Sequence, residues 1–299
     1  MALRLFEGSG CAMVTPFTQG NVVDTAALQE QAAFQLESGT AALIVCGTTG
    51  EAATMSPEEQ AQAVRAVAQV AYGRAPVIAG VGGNHTAKAI AASLAAREAG
   101  ADAVLAVTPY YNKTTPAGLV AHFTAIADAS PLPVILYNVP SRTNVNITPA
   151  VAARLAEHPN IIAIKEASGD IAQVADTVRL CGEEMAVYSG NDECTLAVLA
   201  LGGLGVISVA ANVAPAAMAK LCAAFFAGDL KAARDEQLRL MPLIRALFSE
   251  VNPIPVKAAM RMQGWRMGAL RLPLTEIGAE NRENLRACLR AAGVLQSQG

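Results

Sequence analysis

Residues 77–107 read VIAGVGGNHTAKAIAASLAAREAGADAVLAV, and this stretch decides the fold. Two short apolar runs, Val77–Gly80 and Ala103–Val107, flank an Ala-rich segment, Thr86–Ala99, whose apolar positions recur at helical spacing. The Thr86 hydroxyl can take up orphan amides as an N-cap, and Gly100 stands where a helix closes through a left-handed residue. Strand, helix and strand in so short a span make a βαβ unit, whose strands run parallel.

Working outward, the unit repeats in both directions. Strands are expected at Gly10–Val14, Ala42–Cys46, Val134–Asn138, Ile161–Lys165, Met185–Ser189 and Gly205–Val209. Helices are expected at Asp24–Ser38, Ser56–Tyr72 and Pro116–Ala129, with Asp24 and Ser56 as N-caps and Gly39 and Gly73 as closing residues. Eight such units predict an α/β chain folded as a (β/α)8 TIM barrel. A doubly wound sheet would place a glycine-rich turn after its first strand, whereas CAMVTPF stands here. From Asp229 the strand signals stop, and Leu230–Phe248, Pro255–Gly264 and Ala279–Ala292 read as helices. The expected division is therefore a barrel over 1–228 carrying the active site and a C-terminal helical extension over 229–299 packed on it.

Composition narrows the function. Hydrophobic residues form 53% of the 299 and charged residues 16%, enough for a large core. A net charge of −3 with no basic run argues against nucleic acid and a membrane surface as partners. The start, MALRLFEGSG, lacks the apolar core of a signal peptide, so a cytoplasmic enzyme is expected. Cys11, Cys46, Cys181, Cys194, Cys222 and Cys288 are scattered, which fits reduced, mostly buried thiols. His85, His122 and His158 have no mutual ligand spacing and read as surface or cap residues, the last two on helices. No metal and no cofactor are expected.

In a barrel of this kind chemistry sits at the C-terminal strand ends. Lys165 closes the apolar run Ile161–Ile164, although lysine is seldom buried without a reason. Burial disfavours the ammonium form, and a free amine can attack a carbonyl to form a Schiff base. Pairing with Glu166 is the structural alternative, but strand alternation puts Glu166 on the other face. Lys88, Lys113, Lys220, Lys231 and Lys257 fall on helices or loops, where solvated positions are the default. Tyr137, one strand away, could pass protons to a molecule held on Lys165 or simply pack with a bonded hydroxyl. Thr48 and Thr49 lie between Gly47 and Gly50, a turn that can leave amides free for a small carboxylate. The Arg142 guanidinium, after a Pro-Ser turn, suits a substrate carboxylate, although a loop arginine taken alone is more often solvated. Tyr110 and Tyr111 are adjacent and should point apart, one of them to a subunit contact.

Taken together, GTTGE at Gly47–Glu51, TPYYNK at Thr108–Lys113, YNVPSRT at Tyr137–Thr143 and IKEASGD at Ile164–Asp170 resemble the dihydrodipicolinate synthases. SGND at Ser189–Asp192, GVISVAAN at Gly205–Asn212 and NPIPVK at Asn252–Lys257 extend the resemblance almost end to end. It implies a lyase, assigned to the carbon–oxygen (hydro-lyase) kind, that condenses pyruvate with aspartate semialdehyde on Lys165. This is the entry step of the diaminopimelate route to lysine. It also implies a proton relay of Tyr137, Thr48 and Tyr111, with Tyr111 reaching in from a neighbouring subunit of a homotetramer built as a dimer of dimers. The Thr48 and Thr49 amides would hold the pyruvate carboxylate, Arg142 that of the second substrate, and the backbones of Gly190 and Ile207 would line the pocket. Sugar-acid lyases of the same superfamily would share Lys165 and Tyr137 but typically lack an arginine at position 142. A barrel that only binds a keto acid, as a sensor or scaffold, has no feature in its favour. Lysine-inhibited members of the resembled family carry a glutamate in a regulatory cleft where this chain has Lys88. Asn84 and Tyr110 of that cleft are retained, while Ala52, Ala53, Met55, Pro57 and Gln60 replace its histidine-bearing segment. Insensitivity to lysine is the expectation.

Overall fold

A computed structural model describes residues 4–295; the first three residues of the start read above and the last four of the extension lie outside them. Eight strands, β1 (Gly8–Ala12), β2 (Ala42–Val45), β3 (Val77–Gly80), β4 (Ala103–Val107), β5 (Val134–Asn138), β6 (Ile161–Glu166), β7 (Ala186–Ser189) and β8 (Gly205–Ser208), pair in sequence order and close on themselves. Every pairing is parallel, including the closure of β8 onto β1. Around them run α1 (Thr25–Glu37), α2 (Pro57–Ala71), α3 (Thr86–Glu98), α4 (Pro116–Ala129), α5 (Pro140–Thr143), α6 (Pro149–Ala156), α7 (Ile171–Cys181), α8 (Thr195–Ala200) and α9 (Pro215–Phe226). Then come α10 (Leu230–Ala246), α11 (Ile254–Met262) and α12 (Ala279–Ala291). The expected (β/α)8 barrel with C-terminal helices is the fold found.

The strand period splits the core in two. Ile44, Ile78, Leu105, Ile135, Tyr137 and Tyr188 fill the barrel interior. A larger cluster, with Val45, Val104, Leu136 and Ile164 from the outward faces and Leu28, Val67 and Phe123 from the helices, fills the layer between. Phe6 stacks on Tyr188 at 4.2 Å and its carbonyl accepts the Tyr188 hydroxyl at 2.6 Å, so the polar tip of Tyr188 is satisfied.

Four local expectations are corrected. β1 lies two residues earlier than Gly10–Val14, because Gly8 faces Gly205 in the closing pair. A side chain at Gly205 would meet the Gly8 carbonyl at 2.0 Å, so the closure needs glycine, a residue with poor strand propensity. α3 is capped by His85, whose Nδ1 accepts the Lys88 amide at 3.4 Å. Thr86 turns instead to the Nδ1 of His122, 2.9 Å away. His122 is accordingly buried, not a surface residue, and His158 lies in the turn after α6 rather than on a helix. Asp24 and Ser56 do cap their helices, and Gly39, Gly73 and Gly100 close theirs with positive φ.

All six cysteines are free and four are buried; burial pushes the thiols of Cys46 and Cys222 up to about 12. Among the described residues no helix is long and apolar enough to cross a membrane, and no cluster of three ligating side chains could hold a metal.

Candidate active site at the barrel mouth

Lys165 and Tyr137 are opposite each other in the β5–β6 register, both pointing inward. Lys165 is 5% exposed, and its Nζ lies 4.4 Å from the centroid of the Tyr137 ring. Among the described residues no carboxylate stands within ion-pair distance of that amine. Glu166 points outward, as alternation requires. Its carboxylate accepts from Asn138 Nδ2 at 2.9 Å, the Ser168 amide at 2.7 Å and Gln173 Nε2 at 3.2 Å, so it is satisfied without the lysine.

A cavity of about 490 Å³ opens over this end of the barrel, with Gly47, Thr48, Tyr110, Tyr137, Arg142 and Asn252 in its wall. The loop after β2 turns tightly, its Gly50 and Glu51 amides donating to the carbonyls of Gly47 and Thr48. The Thr48 and Thr49 amides donate to no group of the described chain. Arg142 sits on α5, a single turn that the backbone enters at Pro140, and its Nη2 donates to the Asn252 carbonyl at 3.3 Å. Gly190 follows β7 and donates to the Glu166 carbonyl at 2.7 Å; a side chain there would meet the Ala167 Cβ at 2.6 Å. Ile207 is fully buried in β8. The structure thus gathers Thr48, Tyr137 and Arg142 in one wall, with Lys165 against Tyr137. Tyr111 is not among them: within one chain it is 92% exposed, with a φ of 67°.

Residues to which the sequence reading gave no part in the site lie around this mouth. Lys257, taken as solvated, is fully buried, and its Nζ donates to Glu51 Oε1 at 2.6 Å. The second Glu51 oxygen accepts the Arg271 amide at 3.0 Å. Burial draws the Lys257 ammonium below its ordinary value, against the pull of Glu51. Asn252, also buried, donates from Nδ2 to Thr49 Oγ1 at 2.9 Å. Asp192 lies buried behind β8, where its Oδ2 accepts the Val209 and Ala210 amides, both at 3.0 Å. Burial holds its carboxyl above the ordinary value, while the Ser208 hydroxyl, those amides and the Lys165 charge pull it down. The anomaly that exposed Lys165, a charge inside an apolar run, is present at Lys257 in IPVKAAM and could have found it.

A parallel barrel whose mouth presents a buried amine beside a phenol defines a class able to do carbonyl chemistry through an imine. Residues 5–292 match the model of the dihydrodipicolinate synthetase family, and the chain belongs to that family. The 4-hydroxy-tetrahydrodipicolinate synthase of Thermoanaerobacter sp. (strain X514) is 50% identical over 295 residues, 98% of this chain and 99% of that one. The crystal structure of the enzyme from Cyanidioschyzon merolae with lysine bound superposes with a TM-score of 0.95 at 43% identity, covering 98% of this chain and all of that one. That of the chloride-inhibited enzyme from Acinetobacter baumannii complexed with pyruvate gives 0.94 at 45% identity, over 97% and 99% of the two chains.

Proposed function

We propose that this chain is a 4-hydroxy-tetrahydrodipicolinate synthase acting on pyruvate and L-aspartate-4-semialdehyde, and the observation that carries the reading is Lys165, buried in the barrel against Tyr137 with no carboxylate partner. The amine attacks C2 of pyruvate and, with loss of water, forms an imine. Loss of a C3 proton gives an enamine whose carbon attacks the aldehyde. The amino group of the second substrate then adds to the imine carbon and displaces Lys165, closing the ring. The lyase class stands, but the carbon–oxygen label is off, because the bond that frees the product from the enzyme is carbon–nitrogen.

Roles follow position. The free Thr48 and Thr49 amides hold the pyruvate carboxylate, Gly190 and Ile207 line its seat through their backbones, and Arg142 takes the carboxylate of the semialdehyde. Tyr137 and Thr48 move protons at the imine, and Tyr111 completes the relay from a second copy of the chain. An exposed tyrosine held at positive φ, a costly backbone state, supports a constraint from outside the chain, and a homotetramer would supply it. Residues 1–228 form the catalytic barrel and 229–299 an extension that steadies its mouth; the enzyme is placed in the cytoplasm.

A coupled assay with both substrates, run beside a sialic-acid cleavage assay, tests the reading: only the first should turn over. Arg142→Ala is expected to raise KM for the semialdehyde about 10- to 100-fold, the cost of one charge-assisted contact, and to leave pyruvate binding within about twofold. Equal losses for both substrates would mean that Arg142 shapes the site without reading the second carboxylate.

Regulation is expected to differ from lysine-binding relatives. Asn84, His85, Lys88, Gln60 and Tyr110 line a second cavity of about 470 Å³, and among the described residues no carboxylate is in its wall. An ammonium at Lys88 repels the side chain of free lysine by several kcal/mol at about 4 Å in partly screened surroundings. Low-millimolar lysine should therefore leave the rate unchanged; half-inhibition below about 1 mM, a binding event near 4 kcal/mol, would contradict this.

A further inference from the structure

The Thr48–Glu51 turn is gripped at two points by one segment from far along the chain. Lys257 holds Glu51 at its lower end, and Asn252 holds Thr49 at its centre. Asn252 does more than hold the turn, because its own carbonyl accepts from Arg142. One buried residue therefore touches Arg142, assigned above to one substrate carboxylate, and the side chain of Thr49, whose amide is assigned to the other. The contact with Thr49 survives either orientation of the amide, since a hydroxyl both donates and accepts. The Oδ1 atom is buried without a hydrogen-bond partner, so the side chain is not placed by a full set of bonds of its own.

We propose that Asn252 is a positioning residue of the reaction, fixing the Thr48–Thr49 amides through Thr49 Oγ1 and the Arg142 guanidinium through its backbone carbonyl. The inference rests on the reading of those amides as the seat of the pyruvate carboxylate. Deleting the Asn252 side chain frees the turn to relax, so the amides lose their convergence. The backbone carbonyl survives the deletion, so the Arg142 contact is retained in part. The signature is thus a loss concentrated on pyruvate, shared with Thr49 and separate from any loss at Lys165.

The test uses the full-length enzyme and measures the pyruvate concentration that gives half-maximal borohydride trapping, with KM, kcat and the melting temperature alongside. Asn252→Ala and Thr49→Val should each raise that concentration about tenfold, the order expected for one lost hydrogen bond with a buried partner left behind. The double variant should be no worse than either single one, because both delete the same contact. Thr49→Ser, which keeps the hydroxyl, should recover most of what Thr49→Val loses in the trapping midpoint. If Asn252→Ala does not fold, the Thr49→Val and Thr49→Ser pair still decides the point. Wild-type trapping curves for Thr49→Val, or additive losses in the double variant, would overturn the inference while leaving the Schiff-base reading intact. Failure of the wild-type enzyme to trap pyruvate would remove both.

Discussion

Lys165→Met should lower kcat/KM by at least about a thousandfold while leaving the melting temperature equal to or above that of the wild type. The two halves of that result have different causes. The nucleophile supplies the covalent step, and removing such a group costs several powers of ten in other enzymes. The fold, by contrast, gains little from the amine. Lys165 is 5% exposed and its contact is the Tyr137 ring, so a buried amine without an ion-pair partner among the described residues is exchanged for an apolar chain of similar length. A structural lysine would show the reverse pattern, with lost stability and activity falling in proportion. Lys165→Arg supplies a long cationic side chain without a reactive amine, so it should be as inactive as Lys165→Met.

Lys257→Met should do the opposite. Here the amine is fully buried against Glu51, and its removal strands a carboxylate with the Arg271 amide as the hydrogen bond that remains to it. Breaking one side of a buried pair costs about 3–5 kcal/mol, which in a chain of this size is a fall in melting temperature on the order of 10 °C. Replacing both partners, as in Glu51→Leu with Lys257→Met, should recover most of the loss, since the uncompensated charge is gone. A single variant that melts within about 2 °C of the wild type would show that water reaches the pair. These two lysines look alike in the sequence, each a cation among aliphatic residues. They part only in the fold, where one has a counter-charge and the other a phenol.

That contrast marks how far the sequence could be read. Strand and helix order was legible because period and caps are local: Asp24, Ser56 and the closing glycines did in the structure what their chemistry predicts. β1 was misplaced because its start is set by the backbone of β8, about 200 residues away, and no local pattern encodes that approach. The positions of Lys165, Tyr137 and the threonine turn at the barrel mouth were legible because strand ends point there. Asn252 was not, and for Lys257 the run IPVKAAM signals burial but not the partner, since both contacts lie on the GTTGE turn and only the closed fold brings the segments together. Asp192 was hidden for the same reason: its amide partners belong to the next strand's end.

The most direct test of the whole account is reduction with borohydride in the presence of pyruvate. Imine formation on the barrel lysine predicts irreversible inactivation, one reduced pyruvyl group per chain, and a peptide map that places it on Lys165. An adduct on Lys257 or on any exposed lysine, or activity that survives reduction in saturating pyruvate, would contradict it.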